Sequence, residues 1–330
     1  MKLILYCLIC FLLFPFYGHS FTYLDFYKQE ILDANSNSKK ESSTYFFSAG
    51  FGNFQNSFTF RSDRTKDYNL STTNKNFVLF SVNYNELIDF NFLLPFKDPT
   101  SSRESRVDSE VKDFSLNFSI LDDFKSSIFY RKNKAYYFED PQNSNLLIRF
   151  PNLGFSQFGI SFFKVANKNH QSIFIEPIVL KGKESNGSWI YVLGLSQFYL
   201  VGLEELPQIQ EIKEKISPNN MANSAEYKSL SARIGYSQNW FWKKLFLSGV
   251  LGIGGSMNYQ KIHRSNSVDN ETNNTFNSTF NTIISLSTGY FWKESTMGVF
   301  VNAFNNEISM GDWRLDTTQG TMGIYYSFKF

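Results

Sequence analysis

The sequence predicts an all-β chain: a single antiparallel transmembrane β-barrel of about twelve strands, within a range of ten to fourteen. Three observations predict it. Apolar residues recur with a period of two along run after run, which is the strand period. The positions between them carry Ser, Gly and Asn rather than Lys and Glu. The chain closes on a segment of alternating aromatics that ends in Phe330.

Composition agrees. Of 330 residues, 37 are Phe and 18 are Tyr, too aromatic for a disordered chain. The 32 basic and 30 acidic residues leave a charge of +2, so no global field selects nucleic acid or an acidic partner. Beyond the N-terminal segment no stretch approaches 18 consecutive apolar residues, and no membrane-spanning helix is expected.

Residues 1–20 read as a secretory signal peptide. Lys2 precedes an apolar run from Leu3 to Tyr17, and Gly18-His19-Ser20 places small residues at a cleavage site. Both cysteines, Cys7 and Cys10, lie in this run, so disulfides and cysteine chemistry are excluded from the mature chain. Residues 21–42 end in the polar run Asn35-Ser-Asn-Ser-Lys-Lys-Glu-Ser-Ser and read as a periplasmic lead-in. The barrel is expected over 43–330.

Strands are expected near 44–61, 77–84, 87–94, 111–121, 124–133, 154–166, 170–181, 188–200, 227–240, 244–260, 276–291, 296–306 and 316–330. A typical case is Leu230, Ala232, Ile234 and Tyr236, set against Ser231, Arg233 and Gly235. In 244–260 two apolar residues, Phe246 and Val250, interrupt the polar face. The list has an odd number of members, whereas bacterial single-chain barrels have an even number. Either Phe51-Gly52-Asn53 splits the first segment or one central segment is a loop. Connectors 62–76, 95–110, 134–153, 201–226 and 261–275 are long and polar; the others are short. Short turns belong to the periplasmic side and long loops to the outside, but this alternation slips between 154 and 226. A short helix is expected over 204–216, with Pro207 near its start.

Alternation of this kind also fits a soluble sandwich. The aromatics at run ends favour a membrane. Trp240, Phe241 and Trp242 stand beside Lys243-Lys244, and Phe291-Trp292 beside Lys293, as at a membrane–water interface. In the last strand Thr321, Gly323, Tyr326, Phe328 and Phe330 resemble the insertion signal of bacterial outer-membrane barrels. Such an aromatic edge strand can pair with an open sheet edge of the barrel-assembly machinery. Outer-membrane lipids are the other expected partner.

If the small polar faces point inward, Arg61, Asp89, Arg233, Ser248, Ser256, Asn258, Asn281 and Ser285 line a lumen, and bulky Phe300 and Phe304 narrow it. One constellation suggests catalysis. His170 and Ser172 stand two apart, on one face if that segment is a strand, and Asn186 follows. A serine nucleophile, a histidine base and an orienting amide are the parts of an outer-membrane lipid hydrolase. The bland reading is a turn histidine and a wall serine. No metal-ligand spacing, phosphate loop or dinucleotide fingerprint occurs, and no cofactor is expected.

The middle of the chain resembles a bacterial family known as a domain of unknown function, DUF4421. The resemblance rests on Ser172-Ile-Phe followed by Lys181-Gly-Lys-Glu-Ser185-Asn-Gly187-Ser188-Trp189, which carries a Ser-x-Gly-Ser signature after a strand. Tyr136-Tyr137 resembles the family's aromatic pair, with Ala135 in place of its glycine. Asn167 resembles the asparagine of a Tyr-x-x-Asn turn, with Phe163 or Lys164 where the Tyr stands. The resemblance spans roughly 75–330. It implies an outer-membrane barrel and supplies no catalytic residue. The leading expectation is a non-enzymatic structural or small-solute or lipid transport role in the outer membrane of a Gram-negative-type bacterium. The alternatives are a lipid hydrolase using His170 and Ser172, and an adhesin acting through long loops.

Overall fold

The computed structural model describes residues 45–62, 68–72, 75–84, 87–96, 110–121, 123–140, 143–167, 170, 172, 185–208, 222–264, 272–293, 295–310 and 313–329. The segments read as signal peptide and lead-in lie outside these residues, as does Phe330.

Thirteen strands run in chain order: β1 (Tyr45–Ser62), β2 (Tyr68–Ser71), β3 (Lys75–Tyr84), β4 (Ile88–Phe96), β5 (Glu110–Leu121), β6 (Phe124–Asp140), β7 (Asn143–Val165), β8 (Asn186–Val201), β9 (Ala222–Trp242), β10 (Leu245–Arg264), β11 (Thr272–Trp292), β12 (Ser295–Met310) and β13 (Trp313–Lys329). All but β2 form one antiparallel wall of twelve strands, closed where β13 pairs with β1 from Phe46↔Lys329 to Ser62↔Trp313. Closure leaves no free edge along that seam, which is what an antiparallel sheet needs in hydrocarbon.

The alternation sorts side chains to two faces. Outward stand Leu245, Leu247, Leu251, Ile253 and Met257 on β10, with Phe280, Ile284 and Leu286 beside them on β11. Leu251 is 62% exposed, the normal state of a side chain that meets lipid instead of protein. The ten steps from Leu247 to Met257 rise roughly 25 Å on a tilted strand, the height of a barrel's apolar band. Trp189, Tyr236, Trp240, Trp242, Tyr290 and Trp292 are exposed at the short-turn end of this belt, in the interfacial position their polar tips favour.

Three sequence expectations are corrected. The wall has no place for a strand over 170–181 between β7 and β8, which pair directly from Gly154↔Val201 to Val165↔Ile190; residues 171 and 173–181 themselves lie outside the described residues. Pro177, which cannot donate to a ladder, stands in that segment. Residues 134–153 are largely strand, not loop: β6 runs to Asp140 and β7 begins at Asn143. The cause of the misreading is a bulge. Ala135 has φ 68°, and the β6–β7 register shifts between Lys134 and Tyr136. The inward positions move from the odd set ending at Asn133 to Tyr136 and Phe138, so the period-two pattern breaks inside a continuous strand. Finally, where a helix was expected over 204–216, the described part is a 3-10 helix over Leu203–Gln208, and 209–221 lie outside the described residues.

The short strand β2 changes the cross-section. It pairs with β1 through Ser57↔Ser71 to Phe60↔Tyr68 and with β6 through Leu70↔Phe138 and Ser71↔Tyr137. At the loop end β2 therefore replaces the shorter β3, β4 and β5. The ring there has ten strands instead of twelve, and it is correspondingly narrower.

Candidate functional site

The interior is layered. At the loop end an apolar cluster fills the narrowed ring. Phe58 and Phe60 of β1, Leu70 of β2, Tyr136 of β6, Phe155 of β7 and Phe198 of β8 are among its members. The rings touch in sequence from β1 to β9. Phe58 lies 4.5 Å from Tyr136 and 5.6 Å from Phe155, Phe155 lies 5.2 Å from Phe198, and Phe198 lies 5.8 Å from Tyr227. Nearer the short-turn end a second inward cluster contains Phe54, Phe77, Phe163, Phe246, Phe300 and Tyr325. The sequence exceptions Phe246 and Val250 belong to it. Gly289 makes room for the Phe246 ring, since a Cβ at 289 would stand 2.6 Å from its Cε1.

Small polar side chains occupy the rest of the inner wall. Among the expected lumen residues, Asp89 is 7% exposed, and Ser248, Ser256, Asn258, Asn281 and Ser285 are also buried. Arg61 sits in β1 opposite Arg314, and its side chain lies outside the described residues. The Asp89 carboxylate accepts from Ser81 Oγ at 2.8 Å, Asn91 Nδ2 at 2.9 Å and Asn117 Nδ2 at 3.2 Å. Those donors come from three adjacent strands, so a buried charge is satisfied without a cation. Ser256 Oγ and Thr279 Oγ1 are 2.6 Å apart, and Asn258 Nδ2 donates to the same Thr279 oxygen at 3.1 Å.

Between the layers lies a cavity of about 280 Å³. Its charged lining residues are Asp113, Arg131 and Arg233, a net charge of +1. Arg131 Nε stands 3.3 Å from Asp113 Oδ2, and Arg131 Nη1 donates across the lumen to Gln319 Oε1 at 3.3 Å. Arg233 donates through Nε to Asn281 Oδ1 at 2.9 Å and lies 5.1 Å over the Phe304 ring. Phe300 and Phe304 both line this cavity, as their bulk suggested. Sequence reasoning missed Arg131 and Asp113. Their signal is opposite charges at inward positions of consecutive predicted strands.

His170, Ser172 and Asn186 meet the structure differently. His170 and Ser172 are 4% and 3% exposed, belong to no strand, and lie in the β7–β8 connection at the short-turn end. The shared strand face that paired them is therefore absent. His170 Nδ1 lies 2.8 Å from Asn186 Oδ1, an acceptor, so Nδ1 carries the proton. Nε2 is buried with no hydrogen-bond partner among the described residues. Burial lowers the His170 pKa, and the bond to Asn186 opposes that shift. The neighbouring signature is a latch. Ser188 Oγ accepts from the Asn167 N–H at 2.9 Å, Gly187 O accepts from Asn167 Nδ2 at 3.4 Å, and Ser185 Oγ accepts from the Phe241 N–H at 2.9 Å. Together these bonds tie the β7–β8 connection to β8 and β9. Among the described residues no three His, Asp or Glu side chains gather as metal ligands do.

Of the C-terminal set, Thr321 lines the cavity, Gly323 stands opposite Gly52, and Tyr326 and Phe328 lie on the alternate face of β13.

A closed antiparallel wall of twelve strands, apolar outside and filled inside, defines a β-barrel of the outer-membrane type. Solved structures share that form at low likeness. The outer membrane protease OmpT from Escherichia coli matches at 8% identity and TM-score 0.40, over 88% of this chain and 99% of that one. The translocator domain of the autotransporter NalP from Neisseria meningitidis matches at 8% identity and TM-score 0.38, over 93% and 96%. The Pseudomonas putida toluene transporter TodX matches at 6% identity and TM-score 0.29, over 86% and 89%. These likenesses are of fold alone. No curated protein matches the chain. The chain belongs to DUF4421, a domain of unknown function, whose family model matches residues 51–330.

Proposed function

We propose that this chain is exported by residues 1–20, spans the outer membrane, and carries a small amphipathic solute in a closed interior without catalysis. One observation carries the reading. The aromatic chain from Phe58 to Tyr227 belongs to an apolar cluster with members on β1, β7, β10 and β13, at the narrowed loop end above a cavity with mixed walls. A simple diffusion pore keeps its lumen polar and open. This interior instead holds apolar and charged side chains around one small chamber, as a ligand site does.

Planar-bilayer recording tests the reading. The wild-type barrel is expected to show no steady conductance, and Phe58→Ala with Phe155→Ala to introduce one. A large steady conductance in the wild type overturns the closed-interior reading.

The hydrolase alternative has one contact in its favour, the His170–Asn186 pair. Against it, both His170 and Ser172 are buried at the short-turn end, whereas an acyl chain lies on the outer wall. The expected result is no release of acyl chains from phospholipid by the purified barrel. Release that Ser172→Ala abolishes would restore the hydrolase. The loops on which the adhesin alternative depends lie largely outside the described residues.

A further inference from the structure

A polar layer separates the two inward apolar clusters. On β1 the buried inward residues run Phe54, Asn56, Phe58, so an amide stands between a member of each cluster. Two guanidinium groups enter this layer from different strands and converge on one rung. Arg131 of β6 donates through Nη1 to Gln319 Oε1 on β13 at 3.3 Å. Arg233 of β9 lies 5.1 Å over the ring of Phe304 on β12. Phe304 and Gln319 are partners in the β12–β13 ladder, so both cations end over the same rung.

Their charges are not balanced alike. Arg131 has a carboxylate 3.3 Å away, that of Asp113. Arg233 has no acidic partner among the described residues. Its Nε donates to the neutral Asn281 Oδ1 at 2.9 Å. That bond and the Phe304 ring fix the guanidinium plane. The two terminal nitrogens are left over, without a hydrogen-bond partner among the described residues. A planar fork held at its base and free at its tips matches an oxyanion.

The amides around the rung show the same shortage. Asn281 is 1% exposed, and its Nδ2 has no partner among the described residues. Asn56, which faces Gln319 across the β1–β13 ladder, is 0% exposed, and neither its Nδ2 nor its Oδ1 has one. Buried polar side chains left wholly unmatched are uncommon and mark a place where a further group fits. The only free acceptor of this set, Asn56 Oδ1, is neutral, so the unpaired guanidinium decides the sign of that group. The cavity of about 280 Å³ adjoins the rung, with Gln319, Phe304 and both arginines among its residues. Phe300, two inward places along β12 from Phe304, begins the apolar cluster on the short-turn side.

We propose that the Phe304–Gln319 rung is the seat of an anion site, in which Arg233 binds the carboxylate of a small carboxylic acid whose apolar body lies towards Phe300. Arg131 adds positive charge from the opposite wall, and the Asn281 amide donates a further hydrogen bond. This rests on the solute-carrying reading above and specifies its ligand class.

Equilibrium dialysis of the full barrel in lipid nanodiscs tests the site, against empty nanodiscs. Benzoate is the probe, benzyl alcohol its uncharged counterpart, and inorganic phosphate an anion without an apolar body. Wild type is expected to prefer benzoate to both. Arg233→Gln is expected to weaken benzoate binding roughly tenfold or more, through loss of charge-assisted hydrogen bonds, and to leave benzyl alcohol unchanged. Asn281→Asp supplies Arg233 with a carboxylate from the wall itself and is expected to give the same selective loss. Heat-modifiable gel mobility identifies folded barrels, and if Arg233→Gln does not fold, Asn281→Asp carries the test with the guanidinium intact. Benzoate binding that survives in the folded variants, or falls together with benzyl alcohol, overturns the carboxylate site and leaves the cavity as a site for uncharged solutes. Phosphate bound as tightly as benzoate overturns the assignment of an apolar body. Failure of wild type to bind any of the three overturns the solute-carrying reading itself.

Discussion

The wall from β9 to β12 and the wall from β3 to β5 obey the same alternation, yet only the first is continuous. β10 and β11 stay paired from Leu245↔Tyr290 to His263↔Thr272, whereas β4 and β5 separate beyond Leu93↔Asp113. Inward and outward positions alternate on both sides, more sharply on β10 and β11 than on β5. Alternation decides which face a residue occupies; the length of the ladder decides how far neighbouring strands stay joined. The short strands also explain the plug. Because β3, β4 and β5 end early, β2 joins β1 to β6, and the narrowed ring brings Phe58 to Tyr136 and Phe155.

The largest expected effect breaks the tie between the two sides. Phe155→Ala removes the ring between Phe58 and Phe198 and should destabilise the barrel by about 3–5 kcal/mol, measured by reversible unfolding in lipid. A loss below about 1 kcal/mol would mean that the aromatic chain packs loosely. Next comes charge on the outer face. Leu251→Arg, in mid-belt of the continuous wall, should cost about 2–4 kcal/mol. Leu94→Arg, beyond the last rung at the loop end of β4, should cost about 1 kcal/mol or less. Equal costs would remove the distinction between the walls.

A smaller effect of opposite sign belongs to the bulge. Ala135 holds φ 68°, a conformation that glycine adopts without a Cβ clash. Ala135→Gly should stabilise the barrel by about 1 kcal/mol in the same unfolding experiment. The smallest concerns the β7–β8 connection. Its folded-state pKa is depressed, so His170 binds its proton more readily when the connection is released. The stabilising contribution is present above the ordinary histidine value of about 6.5 and fades as pH falls through the lower folded value. Measured relative to the intrinsic, base-catalysed exchange rate, amide protection around Asn167 and Asn186 should fall between pH 7 and pH 5, and His170→Gln should flatten that dependence.

Much of this fold was legible in particular residues. The serines and glycines opposite Leu247, Leu251 and Ile253 pointed to an enclosed face, and the aromatics from Trp240 to Trp242 marked an interfacial girdle. Phe246 and Val250 already stood out as exceptions, and they are members of the inner apolar cluster. Twelve wall strands were within reach once one central segment was removed. The continuity of β6 was not legible, because one left-handed residue shifts the period without changing composition. Nor was β2, whose four residues are too few to show a pattern. The candidate site was legible only in part. Arg233 was expected in the lumen, but its neighbours Arg131 and Asp113 lie on strands far away in the chain.

Sequence alone determined which side of each strand is apolar, because a period of two follows from strand geometry one residue at a time. Tertiary structure alone decided where the wall closes and where it parts. Those outcomes depend on the relative lengths of neighbouring strands and on register between segments far apart in the chain, which no local pattern encodes. The same holds for the cavity: it is the space left between two inward clusters, and its shape is fixed by strand number and by the detour through β2.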